Sequence, residues 1–332
     1  RQAEALLDAG WQVTVLSLGR PDEPARSEVN GVRVVALPTK RSRGTSAGSY
    51  LRASLRFVAW AAYQTSKRWR GYDVVHVHTP PDFLAFAALP AKWGRAGVLL
   101  DIHDSTPELF SERFGNRPLF VKGAELSERW SAARAHQVLT VNEQVRRVLI
   151  ARGIPEEKIS VTLNLPEEKI FWRDEIPHPP RKPVLAYHGT LVPHFGPQVL
   201  LEAAALLVPD HPDLSVRIVG DGDLKPQLLA RASEPDLAGR VTITEERVAV
   251  NRIPEELGSV TAGVVANRVE GFPRLVLPTK LMEYLALGIP AVVSHTETDS
   301  RTPADLAAAC ASTAGRPTRS GAWHGIRPGE LA

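Results

Sequence analysis

"ISVTLNLPEEKIFWRDEIPHPPRKPVLAYHG", residues 159–189, decides how the chain is divided. It opens on a β-branched apolar run (159–164) and ends on another (184–189). Between them, residues 166–183 carry five prolines and charges of both signs. Proline fixes φ and removes a backbone donor, so this segment continues neither helix nor sheet and reads as a linker. The same pattern runs on either side of it. Upstream, "WQVTVLSL" (11–18), "VRVVALP" (32–38), "DVVHVH" (73–78), "GVLLDIH" (97–103) and "QVLTVN" (137–142) read as strands, with helical patterns at 51–69 and 142–152. Downstream, strands at 184–189, 214–220, 240–244, 262–267 and 290–294 accompany helices at 198–208, at 224–232 and from Thr279. Alternation of this kind predicts α/β domains with parallel sheets wrapped on both faces. The expected division is a first domain at 1–170, a linker at 171–183, a second domain at 184–310 and an irregular tail at 311–332.

The bulk numbers agree with that architecture. A chain of 332 residues suits two domains better than one core. The net charge of +3 and pI of about 9.1 lean towards anionic partners. The basic residues are dispersed and aromatics are sparse between them, which argues against nucleic acid. The single cysteine, Cys310, excludes an intrachain disulfide framework and predicts a reducing, cytoplasmic setting. No apolar run is long enough to span a bilayer, and no secretory leader pattern is present. The only methionine is Met282, and "RQAEALLDAG" reads as the middle of a helix. The expectation is therefore an N-terminally truncated chain whose first strand is missing.

Ligands of open parallel sheets sit beyond the carboxyl ends of the strands. That rule points to His103–Asp104, Gly189–Thr190, Gly220–Asp223 and Leu277–Lys280. In "LPTKLMEYLALGIPAVVSH" (277–295), Pro278 suits a first helical turn and Thr279 is a capping type. The first-turn amides and the helix dipole make an anion site, and Lys280 adds a full charge. Glu283 lies one turn after Thr279 on the same face. It would repel a bare phosphate, but it suits a vicinal diol such as a ribose. Gly288 and Pro290 close the helix. The local alternative is an ordinary capped helix with Lys280 and Glu283 as an exposed pair.

Three further stretches carry two readings each. "GDGD" (220–223) imitates a metal-binding motif, but its strand–turn–helix setting favours Gly220 and Gly222 as turn residues near a nucleotide, with Asp223 as an N-cap. In "HVH" (76–78) the two histidines share a strand face, yet no third ligand is evident, so they read as packing or edge residues. The helical stretch at 49–73 sets Arg52, Arg56, Lys67, Arg68 and Arg70 beside Trp60 and Trp69. It reads equally as a solvated face or as a face that docks on an anionic membrane surface.

The ordered set of "HGTLVPHFGPQVLLEAAALL", "VRIVGDGDLKPQLLARA", "RVTITEERVAVNRIPEELGSVTAGVVAN" and "VLPTKLMEYLALGIPAVVS" resembles the nucleotide-sugar-binding half of family 4 glycosyltransferases. "DVVHVHTPPDFLAFAAL" and "LLDIHDSTPELF" are similar to the other half, and the resemblance spans roughly residues 1–295. It implies a GT-B fold, two Rossmann-like domains facing across a cleft. It also implies a nucleotide diphosphate sugar as donor substrate, retention of configuration, and neither metal nor cofactor. Glu283 matches the glutamate on the donor ribose. Pro278, Thr279 and Lys280 match the loop that meets the diphosphate, and Gly189 and Thr190 match the first glycine loop. Gly220 and Gly222 lie near the nucleotide, Val248 near the base, and His103 near the transferred sugar. This chain departs from the pattern at Leu275, where many members carry Glu, and at Thr190 and Phe195, where many carry Arg and Lys. Lys280, with Arg268 or Arg274, is expected to take over from that basic pair.

The expected activity is hexosyl transfer to a glycan or lipid-linked acceptor, as in polysaccharide biosynthesis. The expected location is the cytoplasm, with peripheral docking at the inner membrane face. The alternatives are a nucleotide-sugar epimerase of the same fold, with Glu108 as a candidate carboxylate, and a non-catalytic nucleotide-sugar-binding remnant.

Overall fold

The computed structural model describes residues 2–39, 47–115, 117–172, 180, 182–267, 275 and 277–294. Most of the linker stretch, Arg268, Arg274, Cys310 and the tail lie outside them. The chain divides into two units, Arg1–Val161 and Thr162–Ala332.

In the first unit, α1 (Gln2–Asp8) leads into β1 (Thr14–Gly19), β2 (Arg26–Val29) and β3 (Val32–Pro38). β1 and β3 run parallel, and β2 pairs antiparallel with β3 as a hairpin. The hairpin turns at Asn30 and Gly31, both with positive φ (49° and 81°). An Asn-Gly pair is the residue pair that such a turn favours. After α2 (Ala47–Ser66) the chain builds a second, all-parallel sheet in the order β4-β5-β6-β7: β4 (Val74–Thr79), β5 (Gly97–Ile102), β6 (Gln137–Thr140) and β7 (Ile159–Val161). Its crossovers carry α3 (Leu89–Trp93), α4 (Thr106–Phe114), α5 (Pro118–Arg134) and α6 (Glu143–Ala151). Val98, Leu100, Ile102 and Val138 are buried, as strands covered by crossover helices require. Asn142 starts α6 by accepting a hydrogen bond from the Val145 amide at 2.8 Å.

The second unit begins earlier than the sequence predicts. Residues 162–172, assigned above to the first domain and the linker, lie in it. Phe171 of α7 (Glu168–Phe171) is buried with Leu257, Met282, Tyr284 and Leu287, and Leu165 and Ile170 pack beside it. These apolar side chains follow the core that accepts them, not the prolines. The sheet then runs through β8 (Val184–His188), β9 (Ser215–Val219), β10 (Val241–Ile243), β11 (Ala262–Val265) and β12 (Ala291–Val293), all parallel. The helices are α8 (Pro197–Leu207), α9 (Lys225–Ala232), α10 (Ile253–Glu256) and α11 (Thr279–Ala286).

Strand order is β10-β9-β8-β11-β12. The chain winds outward from β8 through β9 and β10, then crosses to the other side of β8. The reversal between β8 and β11 is a topological switch point, where open α/β sheets leave a crevice for ligands. Ala186 belongs to one apolar cluster and Tyr187 to another. Successive strand residues face opposite ways, so the two clusters lie on opposite faces of the sheet. Tyr284 fastens α11 to the sheet: its hydroxyl donates to the Ala186 carbonyl at 3.1 Å. Its ring lies so close to Gly263 that a Cβ there would meet it at 2.4 Å.

Candidate functional site

The carboxyl end of β8 organises the second unit's crevice. The chain turns at Gly189 (φ 123°), whose amide donates to the Val219 carbonyl at 2.9 Å. A Cβ on Gly220 would lie 2.0 Å from the Gly189 oxygen, and one on Gly222 would lie 2.4 Å from the Leu191 oxygen. Both glycines therefore let the loop after β9 pass directly against the loop after β8. The turn reading of "GDGD" holds, with one correction. Leu224, not Asp223, occupies the N-cap position of α9, and no side chain caps it. Gly196 (φ 69°) brings the same first loop against β11's end, since a Cβ there would meet the Ala266 oxygen at 1.8 Å.

α11 points its first turn at this end of the sheet. Its N-cap is Pro278 rather than Thr279, and no side chain caps it. Its early amides are thus left to backbone or ligand partners. Lys280 is buried, which excludes the exposed-pair reading. Its Nζ donates to the Tyr187 hydroxyl at 2.8 Å, and that hydroxyl donates to the Thr190 carbonyl at 2.9 Å. The same Nζ lies 4.0 Å from the Tyr187 ring centroid and 5.0 Å from that of Phe195. A Cβ on Gly189 would stand 3.6 Å from it. Desolvation by burial pulls the Lys280 ammonium down to about 7, with Glu283 opposing the shift.

Glu283 is held by a residue the sequence reading did not single out. Its Oε2 lies 2.5 Å from His188 Nε2. Burial lowers the His188 pKa against the pull of Glu283, so the ring is neutral and its Nε2–H donates to the carboxylate. His188 Nδ1 is buried with no hydrogen-bond partner among the described residues. Asn267, just past β11, is also buried, and both its side-chain polar atoms lack a hydrogen-bond partner among the described residues. Buried polar atoms of this kind are uncommon, and here they leave hydrogen-bonding capacity open beside Glu283 and the end of β11. Thr190 is exposed, Val248 is half-buried in the loop after β10, and Leu275 is buried.

In the first unit, His103 follows β5 and turns to Asp101, not to Asp104. Its Nε2 lies 3.4 Å from Asp101 Oδ2 and 2.9 Å from His78 Nδ1. His76 and His78 of β4 therefore have neighbours of ligand type that the sequence did not reveal. Burial works against ionising Asp101, but hydrogen bonds from His103 and His76 hold its carboxyl well below the usual range. Glu108, the carboxylate named for an epimerase, is committed to Arg152 at 2.5 Å and to Ser105.

A switch-point crevice with a glycine-opened loop, an uncapped helix start and a buried lysine defines a doubly wound α/β unit suited to an anionic ligand. The family models make it specific: the Glycosyl transferase 4-like domain matches residues 1–164, and Glycosyl transferases group 1 matches residues 168–303. The chain belongs to these group 1, family 4-type glycosyltransferases, which act on a nucleotide-sugar donor. It is 25% identical over 263 residues to the 2-deoxystreptamine glucosyltransferase of Streptomyces kanamyceticus, covering 74% of this chain and 67% of that one. Among solved structures, it is similar to Anabaena HepE in complex with UDP (TM-score 0.59, 17% identity, covering 80% of this chain and 68% of that one). It is also similar to the UDP-forming α,α-trehalose-phosphate synthase of Burkholderia vietnamiensis (TM-score 0.66, 13% identity, covering 94% and 86%).

Proposed function

We propose that this protein transfers a hexose from a nucleoside diphosphate sugar to a glycan or lipid-linked acceptor with retention of configuration. The observation that supports this reading best is the buried Lys280 ammonium beside the Gly189 loop at the start of an uncapped helix. Cleavage of a sugar–diphosphate bond leaves growing negative charge on the departing phosphate. A preorganised lysine and helix amides meet that charge without moving. Glu283, fixed through one oxygen by His188, offers the other to a ribose hydroxyl. The acceptor oxygen attacks the face that the diphosphate leaves, and the diphosphate takes the acceptor's proton. No strong protein base is required, and His103 serves to orient the sugar or acceptor.

The test is thermal unfolding of the full chain with UDP, GDP, ADP or dTDP, followed by donor turnover. At a hundred times Kd, the nucleotide that fits adds about 2.7 kcal/mol, a rise of several degrees in Tm. If none of the four moves Tm, the donor-site reading fails. Thr190 and Phe195, in place of the usual basic pair, favour a second reading as a non-catalytic binder. Nucleotide-dependent stabilisation without any donor consumption would establish it.

The reading extends to the cytoplasmic membrane face. Among the described residues, no helix is long and apolar enough to cross a membrane. α2 contains no acidic residue and exposes Leu51, Leu55 and Tyr63 alongside Arg52 and Arg56. Docking through this face predicts sedimentation with anionic but not neutral vesicles, lost in Arg52→Glu/Arg56→Glu. Equal behaviour with both vesicle types would rule it out.

A further inference from the structure

The geometry points to a binding site for a borderline divalent cation, Zn²⁺ in the first instance, formed by His76, His78, Asp101 and His103 in the first unit. The sheet itself assembles it. His76 and His78 are two apart on β4 and share a face. Parallel pairing with β5 puts Asp101 directly beside His78. His103 lies two residues beyond Asp101.

Their ligand atoms converge. His76 Nε2, His78 Nδ1 and His103 Nε2 lie 3.1, 3.4 and 3.4 Å from the same atom, Asp101 Oδ2. His78 Nδ1 and His103 Nε2 are 2.9 Å apart. One ligand atom each from His76, His78 and Asp101 falls within 4.8 Å of the others. A tetrahedral zinc ion with bonds of about 2.0–2.1 Å sets its ligands about 3.3 Å apart. The separations from Asp101 Oδ2 and between His78 and His103, 2.9–3.4 Å, lie close to that value, and His76 and His103 would draw together around the ion.

Hydrogen bonding alone serves this cluster poorly. Three imidazoles crowd one carboxylate oxygen, and the Gln2 side-chain amide reaches it too, at 3.5 Å. An ionised carboxylate spreads its acceptor capacity over two oxygens. His78 Nδ1 faces both a carboxylate oxygen and another ring nitrogen, and one N–H cannot align with both. A cation at the centre would use all four lone pairs at once. Three imidazole nitrogens and one carboxylate oxygen form a donor set that suits zinc and its neighbours, not magnesium or calcium. Asp101 is buried to 6% side-chain exposure whereas His78 is open to 48%, so the site has a fixed floor and a way in. With an ion bound, His103 is committed to it; without one, the ring is free for the sugar.

The inference does not rest on sugar transfer, and its readout is the metal. The chelator-treated protein is titrated with Zn²⁺ by calorimetry and with Co²⁺ by visible absorption. The expected result is one equivalent bound with micromolar or tighter affinity, and the intense visible bands of four-coordinate cobalt. Affinity should fall at least 100-fold in His76→Ala/His78→Ala. Circular dichroism checks the fold of that variant, and Asp101→Asn, which keeps shape and loses charge, provides a second test. Failure to bind stoichiometrically, or affinity within threefold of wild type in a folded variant, would overturn the site.

Discussion

Replacing Lys280 with methionine should cut sugar transfer at least 100-fold and remove the proton uptake that accompanies donor binding above pH 7. The size follows from what the ammonium faces. A preorganised donor aimed at charge that develops in a water-poor site contributes about 2.7–4 kcal/mol to the barrier. On the proposed reading the lysine cannot be spared, because the first loop offers Thr190 and Phe195 and no cation of its own between Gly189 and Gly196 other than His194. The Lys280 Nζ lies 5.0 Å from the Phe195 ring, so the helix places its charge against the first loop. Burial holds its folded pKa at about 7, against an ordinary value of 10.5. Between those values the unfolded chain carries a proton that the folded protein lacks, so Lys280 makes stability rise with pH from about 7 upward. A bound diphosphate favours the charged form and raises the pKa again. Binding above pH 7 must then draw in up to one proton, and affinity should fall about tenfold per pH unit until the bound-state pKa is reached. Calorimetry at pH 8 in buffers of different ionisation enthalpy measures the uptake directly. Wild-type affinity in Lys280→Met, with the buffer dependence unchanged, would refute the assignment.

The elements of this fold were legible because period and β-branching mark strands wherever a parallel sheet is buried. β3 falls on the predicted residues, 32–38, and the other predicted strands differ only at their ends. β2 escaped because "RSEV" has no apolar alternation, although the Asn30–Gly31 turn beside it is a strong hairpin signal. The unit boundary was displaced because prolines mark where regular structure stops, not which core claims the flanking side chains. At the site, the helix start, Lys280 and Glu283 were visible locally, but the absence of a side-chain cap was not, because Thr279 is a capping type that the structure places one residue past the N-cap. Their partners were not: Tyr187 and His188 lie 93 and 95 residues away, on a strand whose pairing no local pattern specifies. The histidines show the same limit. Strand period puts His76 and His78 on one face, but Asp101 joins them only through the β4–β5 register.

At pH 9, above the folded pKa of Glu128, Arg152→Met should destabilise the first unit by about 3–5 kcal/mol, because it strands a buried carboxylate. Arg152 Nη1 donates to both oxygens of Glu128 at 3.2 and 3.1 Å and to the Ser105 hydroxyl at 3.0 Å, while Nη2 reaches Glu108 at 2.5 Å. The Glu128 side chain has no solvent exposure. Desolvation raises its pKa to about 8 despite Arg152, and raises that of the nearby buried Asp82 to about 6. Both folded values exceed the ordinary carboxyl values of 4.5 and 3.8. Between the ordinary and folded values the folded state holds the extra proton. These two groups therefore make stability fall as pH rises, up to about 6 for Asp82 and about 8 for Glu128. Removing the guanidinium pushes both folded values higher and extends that loss to more alkaline pH. The variant should consequently lose more relative to wild type at pH 9 than at pH 5.5, as read from urea unfolding of the first unit. Arg152→Met/Glu128→Met, which removes the fully buried carboxylate with its partner and leaves only the partly exposed Glu108, should recover much of the difference at pH 9. A loss below about 1 kcal/mol at pH 9, or a double variant less stable than the single one, would show that Arg152 does not neutralise this cluster.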